Sequence, residues 1–279
     1  MTAAASQLFI AQPSISLAIS EMEEYYGVKL FDRISRKLYL TENGRRALQY
    51  ARHIIELLDE MEQGVRDVDA MGRLKVGTSI TIGTYLLPGY IKRLKQQYPA
   101  LKVEASIANS GTIEQQILDN DIDVGIIEGV AHSPFILSES FAGDRLVFIC
   151  PAGHEFAGKT LEELSEVRNQ DFILREKGSA GREIFDGILA AQELNVRPIW
   201  QSASNQVILQ GVKAGLGISI LPYFLVRQDI REGELAEFRI KDLALNRKYS
   251  VIYHKNKFLP RSARTLMELC KEGNGADRI

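Results

Sequence analysis

Hydrophobic and polar positions in the first 40 residues predict two short helices and a hairpin. Residues 2–9 are rich in alanine, and Pro13 follows at a point where proline fits the first turn of a new helix. Residues 14–25 have apolar positions at helical spacing, which predicts one buried face. Those positions are Ile15, Ala18, Ile19 and Met22. Gly27 is predicted to end this helix, and residues 33–40 read as a small β-wing with basic residues near its tip.

A long helix without proline is predicted from Thr41 to about Met71. Its apolar positions alternate between steps of four and three residues, as in a coiled-coil seam. These seam positions are Ala47, Ala51, Ile54, Leu58, Met61, Val65 and Val68. The pattern favours pairing with a second copy of the chain, and the alternative is one amphipathic helix packed on its own domain.

From Arg73 onward the pattern changes to alternating strands and helices. Strands are predicted at residues 74–80, 101–108, 124–127, 146–150, 172–174, 218–221 and 249–253. Helices are predicted at residues 86–98, 112–120, 181–194 and 206–214. Such an order predicts a parallel sheet covered by helices on both faces. The set is too long for one simple sheet and favours two α/β lobes with a cleft between them.

Three domains follow from these patterns. They are a helix-turn-helix domain (residues 1–40), a linker helix (41–72) and a two-lobed domain (73–279). Lobe I is predicted at about residues 73–144 and 249–279, and lobe II at about 145–248.

Composition and charge narrow the function classes. The chain has 279 residues, 45% hydrophobic and 25% charged, as in ordinary globular proteins. The formal net charge is −2, yet the stretch from Lys29 to Arg52 holds seven basic residues against two acidic ones. This patch can face phosphates, or it can be a solvated surface. We see no apolar run long enough for a membrane helix and no secretory signal, so we expect a cytoplasmic protein.

Catalytic, metal and cofactor chemistry have little support in the sequence. Cys150 and Cys270 are far apart and read as reduced thiols, and the four histidines show no zinc-like spacing. No nucleophile with its base and no cofactor loop is recognisable, so we expect neither an enzyme nor a bound cofactor. An exported solute-binding protein would leave residues 1–45 unexplained.

Several segments together resemble the LysR-type transcriptional regulators. The N-terminal segments are AAASQL at residues 3–8, QPSIS at 12–16, GVKLFDR at 27–33 and LTENG at 40–44. Those of the larger domain are LLP at residues 86–88, DVGI at 123–126 and GLGISILP at 215–222. The resemblance implies a winged helix-turn-helix, a dimerising linker helix and a two-lobed domain resembling periplasmic solute-binding proteins.

The family also implies partners. They are double-stranded promoter DNA, a small-molecule effector, further copies of the chain in a homodimer or homotetramer and, indirectly, RNA polymerase. The sequence departs from the family where a first helix precedes the position of Thr2 in relatives. We therefore expect a winged helix-turn-helix whose first helix is missing. The alternative function is a truncated sensing fragment that binds a small metabolite but not DNA.

Candidate DNA-binding residues lie on the second helix and the wing. They are Gln12, Pro13, Ser14, Ser16, Leu17, Arg33, Arg36 and Lys37. Polar groups near the helix start could reach base edges or phosphates. Leu17 stands where relatives often have arginine, and contact with a thymine methyl group is a possible substitute. For Arg33 the alternative is an internal salt bridge with Asp32 or Glu23.

Candidate effector-binding residues lie where strands end and helices begin. They are Ser79, Thr81, Ser110, Gly111, Thr112, Glu128, Ser179 and Asn205. Hydroxyls and amides at helix N-termini suit a small anion, although Ser79, Thr112 and Ser179 can also be read as helix caps. Glu128 would repel an anion unless it pairs with Arg175, Lys177 or an amine on the ligand. We therefore expect an anionic or amphoteric metabolite that closes the lobes and changes how dimers contact DNA.

Overall fold

The computed structural model describes residues 2–34, 37–66 and 72–272. The chain divides into two units, Met1–Arg66 and Asp67–Ile279. Each unit has its own secondary structure, and each is described by itself.

The first unit contains the predicted helices and hairpin. Its elements are α1 (Thr2–Gln7), α2 (Gln12–Tyr26), β1 (Phe31–Ile34), β2 (Lys37–Leu40) and α3 (Glu42–Arg66). Pro13 lies in the first turn of α2, and Gly27 ends that helix in the left-handed conformation, with φ of 67°. Strands β1 and β2 pair antiparallel as the predicted wing, whose tip at residues 35–36 lies outside the described residues.

The prediction of a buried face on α2 is wrong for the described residues. No residue of α2 is buried, and Met22 is 42% exposed. Burial needs a partner surface as well as an apolar stripe. Ala5 and Leu30 are the buried apolar side chains that the described part of this unit supplies, which is too little to cover the stripe.

Two contacts fix the helices of this unit to the wing. The Glu23 carboxylate accepts hydrogen bonds from the backbone N–H groups of Leu30, at 2.8 Å, and Phe31, at 3.2 Å. Lys29 donates its ammonium group to the same carboxylate, and this bond lowers the pKa of Glu23. At the start of α3, Gly44 packs so closely on the Leu30 carbonyl that an added Cβ would lie 2.0 Å from its oxygen.

The second unit is a mixed α/β structure. Its strands are β3 (Arg73–Ser79), β4 (Lys102–Ala108), β5 (Val124–Glu128), β6 (Ile136–Pro151), β7 (Thr160–Leu161), β8 (Phe172–Arg175), β9 (Pro198–Ser202), β10 (Ser219–Pro222), β11 (Leu235–Ile240) and β12 (Asn246–His254). Its helices are α4 (Ile80–Tyr85), α5 (Leu87–Gln97), α6 (Ser110–Leu118), α7 (Ala180–Ala191), α8 (Asn205–Lys213), α9 (Tyr223–Arg231) and α10 (Arg261–Glu272), with a short 3₁₀ helix at Leu164–Val167.

Strand β6 joins the two lobes of this unit. Its first part pairs antiparallel with β12 in lobe I, and its last part pairs antiparallel with β10 and β11 in lobe II. In lobe I, β4, β3 and β5 run parallel, as the alternating strands and helices predict. In lobe II, β8 and β9 form a parallel pair that meets β10 beside Phe172 and Ile218. The predicted two-lobed architecture is confirmed.

Both lobes have hydrophobic residues on the two faces of their sheets. In lobe I, Val76, Ile126 and Leu266 pack on one side, and Ile113 and Ile252 pack on the other. In lobe II, one core centres on five aromatic residues and the other on aliphatic ones. The aromatic residues are Phe148, Phe156, Phe172, Phe185 and Phe238. Helices therefore cover both faces, which fixes the strand ends that line the cleft.

Candidate effector site and DNA-binding surface

The predicted effector residues of lobe I meet at one edge of its sheet. Strands β3, β4 and β5 are parallel neighbours, with Ser79 opposite Ala108 and Thr78 opposite Ile126. Ser79, Ser110 and Glu128 therefore lie together where these strands end. The Ser110 hydroxyl donates to the backbone oxygen of Glu128 at 3.0 Å, which holds the start of α6 against the end of β5.

Buried hydroxyls without a partner mark this edge and the facing lobe. Within the described residues, the hydroxyls of Ser79, Thr81 and Ser179 make no hydrogen bond, although each side chain is buried. Ser79 and Ser179 occupy the N-cap positions of α4 and α7 but make no capping bond. Buried hydroxyls are normally satisfied. Thr78 and Tyr90 also carry buried hydroxyls without a partner, but those of Ser79, Thr81 and Ser179 are distinguished by lying where helices begin.

The capping interpretation fails for Ser79, Thr112 and Ser179. Asn109 caps α6, because its side-chain oxygen accepts the Thr112 N–H at 2.9 Å. Thr112 itself is an exposed residue of the first turn.

The starts of α6 and α7 touch across the cleft. The Gly111 N–H donates to the Gly178 carbonyl at 3.0 Å, which joins lobe I to lobe II. An added Cβ on Gly129 would lie 3.0 Å from the Cβ of Ala180. Gly129 and Gly178 have φ of 85° and 87°, a conformation that glycine adopts readily. The lobes are therefore closed at this point, and the Gly111 amide is already used.

Glu128 has a charged partner that the sequence did not reveal. Its Oε2 lies 3.1 Å from Arg247 of β12, and the same guanidinium donates to both Asp144 oxygens at 2.6 and 2.7 Å. Arg247 is buried, and although burial opposes its charge, Glu128 and Asp144 raise the pKa of its guanidinium. Oε1 of Glu128 is also buried and has no partner among the described residues. Two carboxylates thus share one cation.

The partners proposed for Glu128 from sequence lie elsewhere. Arg175 binds Glu176 at 2.9 Å and the Asn205 side chain at 2.8 Å, and Lys177 is exposed. Of the alternatives offered for Glu128, neither Arg175 nor Lys177 pairs with it among the described residues. Strand pairing of β5 with β12 brings Arg247 to that position instead.

A cavity of about 210 Å³ opens between the lobes beside this site. Ile80, Thr84 and Tyr85 line it from lobe I, and Asn205 and Leu225 line it from lobe II. Drug-sized ligands usually occupy about 300–1,000 Å³, so this volume suits a smaller molecule. Nearby, Tyr85 and Phe224 meet edge to face at 5.1 Å between ring centroids.

Metal and thiol chemistry find no support in the part of the chain that the structure describes. Among the described residues, no three His, Cys, Asp or Glu side chains converge so that they could hold a metal ion. Burial raises the pKa of Cys150 to about 11 and that of Cys270 to about 12, so both thiols stay protonated near neutral pH. Every helix in the described part of the chain is too short or too polar to cross a membrane.

The candidate DNA-binding residues lie on the surface of the first unit where they are described. Gln12, Pro13 and Ser14 are exposed at the start of α2, and the Gln12 side chain donates to the Ser16 hydroxyl at 2.8 Å. Leu17 is exposed one turn later.

The basic residues of the wing are only partly described. Arg33 and Lys37 lie on paired strands of the wing, but their side chains and all of Arg36 fall outside the described residues. Glu23, one proposed salt-bridge partner of Arg33, is bound to Lys29.

Comparison with known protein families gives two matches that together span most of the chain. A family model described as the LysR substrate binding domain matches residues 69–275. Another, described as a bacterial regulatory helix-turn-helix protein of the lysR family, matches residues 1–45.

Similar full-length relatives are transcriptional regulators. The uncharacterized HTH-type transcriptional regulator YeiE of Escherichia coli (strain K12) is 34% identical over 275 residues, which cover 98% of this chain and 92% of that protein. The HTH-type transcriptional regulator CysL of Bacillus subtilis (strain 168) is 30% identical, over 90% of this chain and 85% of that protein.

Similar solved structures share the fold. The CcmR regulatory domain of Synechocystis PCC6803, in complex with 2-PG, has a TM-score of 0.65 and 25% identity, over 72% of this chain and 96% of that chain. A full-length OxyR variant from Pseudomonas aeruginosa has a TM-score of 0.66 and 20% identity, over 97% of this chain and 89% of that chain. The chain therefore belongs to the LysR family of bacterial transcriptional regulators, with a helix-turn-helix followed by a substrate-binding domain.

Proposed function

We propose that a small-molecule effector binds between the two lobes and changes how this regulator binds promoter DNA. The observation that carries the proposal is the set of buried, unpartnered hydroxyls of Ser79, Thr81 and Ser179, which lie where helices of both lobes begin. The CcmR domain was solved with 2-PG, so a similar domain takes a small molecule. Ser110, Gly111 and Thr112 would shape the same edge, and Asn205 lines the adjacent cavity.

The effector is amphoteric in this proposal. Hydroxyl donors and helix N-termini favour an anionic group. Glu128 keeps one buried oxygen without a partner among the described residues, and its cluster holds two carboxylates against one guanidinium. A ligand with an ammonium group as well as an anionic group would satisfy both parts of the site, because an unpaired buried carboxylate oxygen is costly.

Matched pairs of metabolites that differ by an ammonium group test this site. We expect alanine, aspartate or phosphoserine to raise the Tm of the full chain more than lactate, succinate or 3-phosphoglycerate. Ser79→Ala and Ser179→Ala should abolish that shift, whereas Ser138→Ala, at an exposed serine of β6, should keep it. The proposed site is contradicted if no metabolite of the panel raises the Tm, or if the Tm of the serine variants rises as much as that of the wild type. If the two members of each pair raise the Tm equally, only the proposal that the effector is amphoteric is contradicted.

DNA contact is proposed for the start of α2 and for the wing. Gln12, Ser14, Ser16 and Leu17 would meet base edges or phosphates, with Pro13 setting the helix start. Arg33, Arg36 and Lys37 would add phosphate contacts. Binding of a labelled promoter fragment at two salt concentrations tests this, since phosphate contacts make affinity fall as salt rises. Ligand binding without any DNA binding would support the sensing-fragment alternative.

The exposed apolar seam of α3 supports the proposal that the chain forms an oligomer. Ile54, Leu58 and Met61 are 64%, 50% and 57% exposed, an apolar surface that a second copy would cover. A homodimer or homotetramer would then present paired recognition helices to DNA in the cytoplasm and affect RNA polymerase indirectly. In this account the chain acts by binding alone, without catalysis.

A further inference from the structure

His132 lies on the loop after β5, with its ring between carboxylates of the two lobes. Its Nδ1 lies 3.2 Å from Glu114 of α6, in lobe I, and its Nε2 lies 2.8 Å from Glu183 of α7, in lobe II. One side chain thus bridges the cleft on the helices whose starts also touch through Gly111 and Gly178.

Glu114 fixes the ring from the lobe I side. Its side chain is only 10% exposed, and its Oε1 accepts the backbone N–H groups of His132 and Ser133 at 2.8 and 2.7 Å. The other oxygen faces the His132 ring. Glu183 lies in the first turn of α7 and is half-exposed, so its contact with His132 forms only when the lobes are close.

The protonation state of the ring decides whether both contacts are favourable. Neutral imidazole has one N–H donor and one lone pair, so one of the two carboxylates would face a lone pair. Imidazolium donates from both nitrogens and also carries a positive charge between two negative ones. The cross-lobe bridge is therefore stronger when His132 is protonated.

We propose that His132 is a proton-operated latch that holds the lobes closed by bridging Glu114 and Glu183. Its consequence for effector affinity rests on the proposed function, but closure itself requires no effector. At a pH where His132 is protonated, the closed form is favoured. As the ring loses its proton, the lobes separate more readily.

The direction of the pH dependence follows from the charges around the ring. The hydrogen bond with Glu114 raises the pKa of His132 above its ordinary value of 6.5, burial works in the opposite direction, and Glu183 raises it further. A cation also reaches this loop, because the Lys255 ammonium donates to the Pro134 carbonyl at 3.4 Å. Since Glu183 contributes only in the closed form, that form binds the proton more tightly. Its extra stability is complete below the open-form pKa and is lost as pH rises through the raised value.

Hydrogen exchange of the Gly111 amide measures closure directly, because its only hydrogen-bond acceptor across the cleft in the described residues is the Gly178 carbonyl. The full chain without ligand is compared at about pH 6 and about pH 8.5, on either side of histidine titration. The measured rates are corrected for the intrinsic dependence of amide exchange on pH. We expect protection of Gly111 to fall about two- to fivefold at the higher pH, the size expected for a solvent-screened ion pair.

Two variants and a control separate the latch from a general pH effect. Glu183→Gln removes the lobe II carboxylate and His132→Gln removes the titrating ring, so both should make Gly111 protection independent of pH. Glu193→Gln, at an exposed position just beyond the other end of α7, should keep the wild-type dependence. Equal protection at both pH values in the wild type, or a wild-type dependence in Glu183→Gln, overturns the latch. Neither result depends on whether an effector binds.

Discussion

At the scale of single residues, the cluster of Arg247, Glu128 and Asp144 should be costly to disrupt, because its only charges are one guanidinium and the two carboxylates that it contacts. The guanidinium is the cation that both carboxylates contact, and all three groups lie near the crossing between the lobes. Glu128 was predicted as a site residue from its position at a strand end. Arg247 was not predicted. It lies 119 positions after Glu128 in the chain, and only the pairing of β5 with β12 brings the two residues together.

Replacing Arg247 should destabilise the second unit strongly. Arg247→Met leaves the buried Glu128 carboxylate and the partly buried Asp144 carboxylate without their cation, and loss of one partner of a buried pair typically costs about 3–5 kcal/mol. Arg247→Lys keeps the charge but loses the two-pronged contact with Asp144, so its loss should be smaller. Urea unfolding followed by circular dichroism measures both variants. A wild-type midpoint for Arg247→Met would show that the cluster contributes nothing to stability.

At the scale of secondary-structure elements, strong periodicity predicted most of the fold. Helices α2, α5, α6, α7 and α8 and strands β3, β4 and β5 lie within a few residues of their predicted positions. Helix α4 was not predicted, because its first residues, Ile80, Thr81 and Ile82, are β-branched and disfavour a helix, a preference that tertiary burial of Ile82 overrides. The first part of β6 was missed because its polar residues hide the strand pattern. Elements β7, β9, β11, α9 and α10 were also not predicted.

Two glycine-to-alanine substitutions in helices should act in opposite directions. Alanine normally favours a helix by about 1 kcal/mol over glycine. At Gly187 of α7 an added Cβ meets nothing within 4 Å, so Gly187→Ala should raise the Tm. At Gly44 of α3 it would lie 2.0 Å from the Leu30 carbonyl oxygen, so Gly44→Ala should lower the Tm of the first unit. Calorimetry checks both, and a stabilised Gly44→Ala would show that α3 does not need this close approach.

At the scale of the whole molecule, the chain combines a helix-turn-helix unit with a two-lobed substrate-binding domain, and we propose that the cleft of that domain closes on a ligand. Strand ends and helix starts allowed Ser79, Ser110 and Ser179 to be predicted as site residues, and the structure brings Ser79 and Ser110 together with Glu128 at one sheet edge. His132 was missed because its bridge depends on two helices from different lobes. No local pattern in the sequence signals such a contact.

The most direct test of the central claim is the affinity of the full chain for a promoter fragment, measured by fluorescence anisotropy with and without ligand. The ligand is the member of the matched metabolite panel that stabilises the protein most. An effector alters DNA binding only if it binds two arrangements of the protein with different affinity. We expect saturating ligand to change the Kd for DNA severalfold in the wild type and not in the Ser79→Ala, Ser179→Ala double variant. An unchanged Kd at saturating ligand would contradict the account.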